Sequence, residues 1–287
     1  MAGLVESQCI YDPYGNVLPW GAGNASGPFV FIAGTEGRDS ATDVLLDYKR
    51  TVFTALVIGG PKEQTSLTWS KIKSRLEDFG TSLDRITWIK HYVPKRADWV
   101  AIREAEMEFF RKHCPDLIRR PRPGTIHGNL SLDLRDMAVE IEVWAMRPDT
   151  EFQIYTQNDR RGELMPRAKG SIVKPFIFLS AADGSDSETQ LVIDGHRGIA
   201  AAAVVGGPRE QTIEAWSKIE NWLKEMGSSL DNIVYIRRNI ARKQDWVAIR
   251  EAEMDFFGKH CSDLSERPRP GTTLKNVGLD YEDALVS

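Results

Sequence analysis

Glu140 and Glu142 alternate with Val139, Ile141 and Val143, so the carboxylates fall on one face of a strand and the aliphatic side chains on the other. A carboxylate in that position can orient a water if its surroundings are poorly hydrated; otherwise it is a solvated glutamate on a polar face. His127 adds an imidazole able to exchange a proton near neutral pH, or is a loop residue without chemistry. Arg103, Arg250, Arg122 and Arg269 offer planar forks that could clamp a substrate carboxylate. The plain alternative for Arg103 is a pair with Glu106 three residues on, worth a few tenths of a kcal/mol on an exposed helix. His113-Cys114 and His260-Cys261 point in different directions at a helix end and have no third ligand nearby, so no metal site is expected. Gly59-Gly60-Pro61 matches neither common phosphate-loop spacing and reads as a helix-start breaker.

These residues belong to a chain that is written twice. Asp98–Met107 recurs letter for letter as Asp245–Met254, an offset of 147. The same offset carries Trp69-Ser70-Lys71-Ile72 onto Trp216-Ser217-Lys218-Ile219, and Arg120–Thr125 onto Arg267–Thr272. A repeat of that length is a whole domain, which predicts two tandem domains, 1–149 and 150–287. His127 has no counterpart, because Leu274 stands at its position in the second copy.

Composition narrows the class. The formal net charge of −4 supplies no basic field for nucleic acid, and no apolar run approaches a membrane span. Three cysteines do not form a disulfide framework, and the first residues lack the basic-then-apolar pattern of a secretory signal. A soluble cytoplasmic protein is expected, and no motif points to a cofactor.

Each unit must position its candidates with few elements. A β-rich run opens it (29–32, then 176–179), a second β-prone stretch follows (51–58, then 198–205), and Gly-Gly-Pro starts a helix. Trp69, Ile72, Leu76 and Phe79 form one apolar stripe that Gly80 ends, a design repeated by Trp216, Ile219, Leu223, Met226 and Gly227. Ile86, Trp88, Lys90 and Tyr92 are expected on one side of a strand, with Asp98 capping a second helix that runs to about His113. Residues 139–145 close the sheet. The class is α+β, with two helices packed on one face of a mixed sheet and the other face covered by another copy of the domain. In the second unit Val286 stands at the position of Val139, no glutamate matches Glu140 and most of the closing strand is absent, and the run Leu4–Tyr11 is a candidate to fill it.

The order Glu63-Gln64-Thr65, helix, Gly80, Ser82-Leu83-Asp84, second helix ending in Phe109-Phe110, and Val139–Ala145 resembles the Rid (YjgF-type, endoribonuclease L-PSP) superfamily, over roughly 28–147 and 174–287. The resemblance implies a chorismate-mutase-like fold, trimers of domains with clefts between them, and hydrolysis of enamines or imines with release of ammonia. It places the water-orienting glutamate on Glu140 and a frequent cysteine position on His127. The family's carboxylate-binding arginine falls on Thr125 and Thr272, a departure that leaves Arg103, Arg250 or Arg122 as replacement clamps. A cleft serine falls on Ala33 and Ser180, and a cleft aromatic on Tyr92 and Asn239. The implied activity is deamination of a small, acidic, 2-aminomuconate-like enamine by a homotrimer of two-domain chains. Non-catalytic ligand binding and a different hydrolysis in the same cleft are the alternatives.

Overall fold

The computed structural model describes residues 5–39, 44–47, 52–54, 57–128, 132, 136–192, 200–279 and 283–287. The chain forms two compact units, Met1–Arg122 with Leu130–Gln153, and Pro123–Asn129 with Ile154–Ser287.

In unit one the elements are β1 (Glu6–Tyr11), β2 (Val17–Ser26), β3 (Phe29–Glu36), β4 (Val44–Asp47), β5 (Val52–Thr54), α1 (Pro61–Asp78), β6 (Ile86–Val93), α2 (Trp99–His113) and α3 (Asp116–Arg119). Next come β7 (Gly124–Gly128), which belongs to unit two, and β8 (Glu140–Met146), which returns to unit one. The sheet of unit one runs in the order β1-β2-β3-β8-β6, with β8 antiparallel to both β3 and β6. The N-terminal run is therefore β1, hydrogen-bonded to β2 in its own unit, and not a filler for the second.

The two-residue period of β8 holds. Ile141, Val143 and Ala145 are fully buried, while Glu140, Glu142 and Trp144 on the other face are half-buried. On α1 the stripe Trp69, Ile72 and Leu76 is fully buried, and Trp69 meets Phe110 of α2 edge-on at 4.7 Å. Gly80 takes φ 69°, the left-handed conformation that ends the helix. Glu63 accepts from Gly60 N–H at 3.0 Å, which is why the acidic residue sits three positions into the helix. Two expectations are corrected. A register shift between Ile86 and Trp88 turns Ile86 opposite Ala145 into the core, away from Trp88, Lys90 and Tyr92. Asp98 does not cap α2, because the 3-10 turn Arg96–Asp98 already gives it helical angles.

The letter-for-letter repeat in α2 encodes a buried carboxylate. Glu106 has no exposure; its Oε1 accepts from Trp69 Nε1 at 3.1 Å and lies 2.6 Å from His91 Nε2, while its Oε2 accepts from Arg103. Burial alone would raise its pKa, but the His91 imidazole and the Arg103 guanidinium outweigh it and hold the carboxyl at about 2. Against an ordinary value of 4.5, this depressed pKa stabilises the fold above about pH 4.5 and is lost as pH falls toward 2. Denaturant midpoints are expected to drop across that window, and to drop less in Glu106→Gln, which has no proton to take up.

Unit two repeats the design with β9 (Gln153–Tyr155), β10 (Gly170–Val173), β11 (Phe176–Leu179), β12 (Leu191–Val192), β13 (Ala200–Ala201), α4 (Pro208–Glu225), β14 (Ile236–Ile240), α5 (Trp246–His260), α6 (Ser262–Glu266) and β15 (Gly271–Lys275). Its strands form a sheet β11-β10-β9, a parallel pair β14-β15 and a hairpin β12-β13. Glu253 is the counterpart of Glu106, held by Trp216 at 3.3 Å, Arg238 at 2.6 Å and Arg250, so an arginine stands where unit one has His91. Among the described residues no helix is long and apolar enough to cross a membrane.

Candidate functional site

The Glu140 carboxylate is placed by three local causes. First, β8 alternation turns it to the face opposite the helices, in one cross-strand row with Tyr92 of β6 and Glu36 of β3. Second, the chain entering β8 is stitched to α1. Gln64 Nε2 donates to Asp136 O at 3.1 Å, and its Oε1 accepts from Ala138 N at 2.8 Å. Third, the carboxylate lies over Gly34. A Cβ at that glycine would come 1.8 Å from Glu140 Oε1 and 2.7 Å from its Cδ. The position matching Gly34 in unit two is Ala181, so the methyl that this seat forbids is present where no glutamate is required.

The next row on that face carries charge. Lys90 faces Glu142 across the strands, is buried, and places Nζ 4.3 Å from the centre of the Tyr92 ring. Tyr92 OH donates to Glu142 Oε2 at 3.4 Å, and Trp144 Nε1 donates to Glu142 Oε1 at 3.0 Å. Trp88 stacks on Trp144 at 4.7 Å, closing the row below. Glu36 at the other edge is buried and lies 3.4 Å from Arg38 Nε. Unit one thus has a half-buried carboxylate, a phenol and an ammonium group on one sheet face beside an aromatic floor. Gly34→Ala is expected to swing the Glu140 carboxylate aside and leave the fold within about 1 kcal/mol, because the clash meets the flexible end of a side chain. Melting temperature and ligand binding measured together check this, since the second should change and the first should not.

The other expected residues of unit one lie elsewhere. Arg103 is on the helix side of the sheet with Glu106 and His91, the face opposite Glu140. Arg122 is buried and donates from Nε to Ile86 O at 2.5 Å, and from NH2 to Asp84 O and Asp116 Oδ2, both at 2.8 Å. Those bonds fix it at the first residue of β6, about 20 Å along the strand from Tyr92.

In unit two, Thr125 and His127 are both buried on β7, and Thr125 Oγ1 has no hydrogen-bond partner among the described residues. Gly128 beside His127 exchanges backbone hydrogen bonds with Gly278 at 2.9 and 2.8 Å. Ser180 Oγ accepts from Gly124 N at 2.9 Å and donates to Ala168 O at 2.6 Å. Thr272 Oγ1 shares a hydrogen bond of 2.7 Å with Tyr235 OH. Arg250 bonds Glu253 and lies 5.6 Å from the Trp246 ring.

Gly34, Lys90 and Gln64 are the positioning residues that sequence reasoning passed over. A signal was available for the first two: the repeats differ there, with Ala181 for Gly34 and Arg237 for Lys90. Among the described residues no group of three or more His, Cys, Asp or Glu side chains is arranged to hold a metal ion.

No family model matches the chain, and no curated protein does. Solved structures of the YjgF/YER057c/UK114 family do match it, each over about half its length. A family member from Mycobacterium tuberculosis is 19% identical over 50% of this chain and 99% of its own, with a TM-score of 0.36. Yeast Mmf1 is 15% identical over 51% of this chain and 99% of its own, with a TM-score of 0.38. Escherichia coli TdcF, solved with bound serine, is 20% identical over 50% of this chain and 98% of its own, with a TM-score of 0.35.

Proposed function

We propose that the chain is a hydrolytic deaminase that releases ammonia from a small enamine or imine bearing an anionic group, acting on the Glu140 face of unit one. The observation that carries this reading is the seating of the Glu140 carboxylate over Gly34, in the row with Tyr92 and beside the buried Lys90. Water adds to the C=N carbon of the imine tautomer. Glu140 takes one water proton as the C–O bond forms and hands it to the nitrogen, giving a carbinolamine; as the C–N bond breaks, it carries the hydroxyl proton to the leaving nitrogen, giving a carbonyl and ammonia. The Lys90 ammonium pairs with the substrate's anionic group, and the Tyr92 phenol orients it. His127, expected to serve the same proton transfer, lies in unit two, and the reading rests on unit-one residues alone.

A second reading, ligand binding without turnover, draws on the arginines. The expected replacement clamps are bonded internally, Arg103 to Glu106, Arg250 to Glu253 and Arg122 to the start of β6. Ammonia release from a panel of unsaturated 2-amino acids separates the two. Release supports the deaminase; saturable binding with no product from any panel member supports the second; a product without ammonia supports a different hydrolysis.

A further inference from the structure

The row that seats Glu140 holds a second acid. Glu36 pairs directly with Glu140 across β3 and β8, so both carboxylates belong to the face opposite the helices, and Glu36 is only 8% exposed. Side chains directly opposite in an antiparallel pair have Cβ atoms about 5 Å apart, and like charges placed there cost stability. The seat over Gly34 also turns the Glu140 carboxylate toward β3, the strand that carries Glu36.

The surroundings of Glu36 hold it in place and ionised. Arg38, two residues on and 5% exposed, has Nε 3.4 Å from Glu36 Oε2 and its guanidinium 5.5 Å from the centre of the Trp20 ring. Lys71 of α1 donates to the backbone oxygens of both Glu36 and Arg38. Unit two keeps this backbone anchor and uses its acid differently. Asp183 and Ser185 stand at the positions of Glu36 and Arg38, and Lys218 at that of Lys71. Lys218 Nζ donates to Asp183 O at 3.0 Å and lies 3.4 Å from Asp183 Oδ1, which also accepts from Ser185 N at 3.0 Å. The unit-two carboxylate is thus bonded to the helix lysine, whereas Glu36, one methylene longer, lies against Arg38.

The charges around Glu140 fix the sign of their effect. Glu36 is directly across on β3, and Arg38 is about 7 Å further along the chain from it. On β6, Tyr92 occupies the same row and Lys90 the next one, where it faces Glu142 of β8. The nearest charge is therefore negative, and it favours the protonated form of the Glu140 carboxyl. A general base works best when its proton affinity is matched to the working pH, which lies above the ordinary carboxylate range.

We propose that Glu36 is a positioning residue that acts through Glu140: its fixed negative charge makes the Glu140 carboxylate a stronger base, able to take a proton from water and carry it to the nitrogen. The purpose of this coupling rests on the proposed hydrolysis, but the coupling itself is measurable without turnover.

The test is a pH titration by NMR of the full chain with carbon-13 in the glutamate side-chain carboxyls, the Glu140 signal being assigned by its loss in Glu140→Gln. In Glu36→Gln the Glu140 midpoint is expected to fall by about one pH unit. That variant takes from buried Arg38 its neighbouring carboxylate, so a second one, Glu36→Asp with Arg38→Ser, installs the pair that unit two carries; the midpoint should fall there too. On any substrate that releases ammonia, the acid limb of kcat should move down by the same amount and the plateau should drop. A merely structural role would lower the rate without moving the limb. A midpoint that stays or rises in either folded variant, or loss of the fold in both, overturns the proposal. A midpoint that falls while no substrate yields ammonia upholds the coupling and sinks only the deaminase reading. Release that depends on Glu140 with an unmoved midpoint sinks only this inference.

Discussion

Glu140→Gln is expected to lower ammonia release by about 10²–10⁴-fold, the span typical of removing a positioned general base. The amide keeps the size of the side chain and fits the seat over Gly34, so the fold should not change. It cannot take a proton from water, so the loss falls on kcat and leaves KM nearly as it was. Lys90→Met should give the opposite pattern, with KM raised more than kcat is lowered, because in the proposed reaction the ammonium binds the substrate's anionic group in both ground and transition state. Steady-state kinetics on any substrate that releases ammonia checks both. Equal losses in the two variants would mean that the face contributes packing and not these separate roles.

The largest stability effect is expected at Glu106. Glu106→Ala leaves the Trp69 indole N–H, the His91 ring and the Arg103 guanidinium facing an apolar void, one of them a buried charge. Breaking a buried pair by removing one partner costs roughly 3–5 kcal/mol, against a few tenths for the same helix spacing on an exposed surface. Glu253→Ala should also destabilise unit two, where Arg238 and Arg250 both lose their carboxylate. Chemical denaturation followed by tryptophan fluorescence, with each variant alone and both together, measures these costs. If Glu106→Ala cost less than about 1 kcal/mol, the network would be incidental to the fold.

Much of this was legible because it is local. The stripe on α1, the glycine that ends it and the alternation of β8 follow from periods of 3.6 and 2 residues, which any reader of the sequence can count. The offset of 147 was equally plain, and it aligned Arg103 with Arg250 and Glu106 with Glu253 before any coordinates were known. Spacing also proposed the Arg103–Glu106 pair, but not that Glu106 is wholly buried, since that depends on Trp69 and His91 arriving from two other elements.

Tertiary structure alone decided the rest. Gly34 and Glu140 are far apart in sequence, and only the pairing of β3 with β8 puts a carboxylate where a Cβ would stand. The register shift beside Trp88 sent Ile86 to the core, because a bulge resets the two-residue period that sequence counting assumes. Arg122 reads as a free guanidinium in the sequence, and folding turns it into a strap on the first residue of β6. Which strand edges find a partner is likewise a property of the assembled sheet. β11 has four residues and β14 five where β3 and β6 have eight, and Val234 and Tyr235 stand in solvent where Thr87 and Trp88 are covered, a difference between the two units that only the assembled sheets reveal.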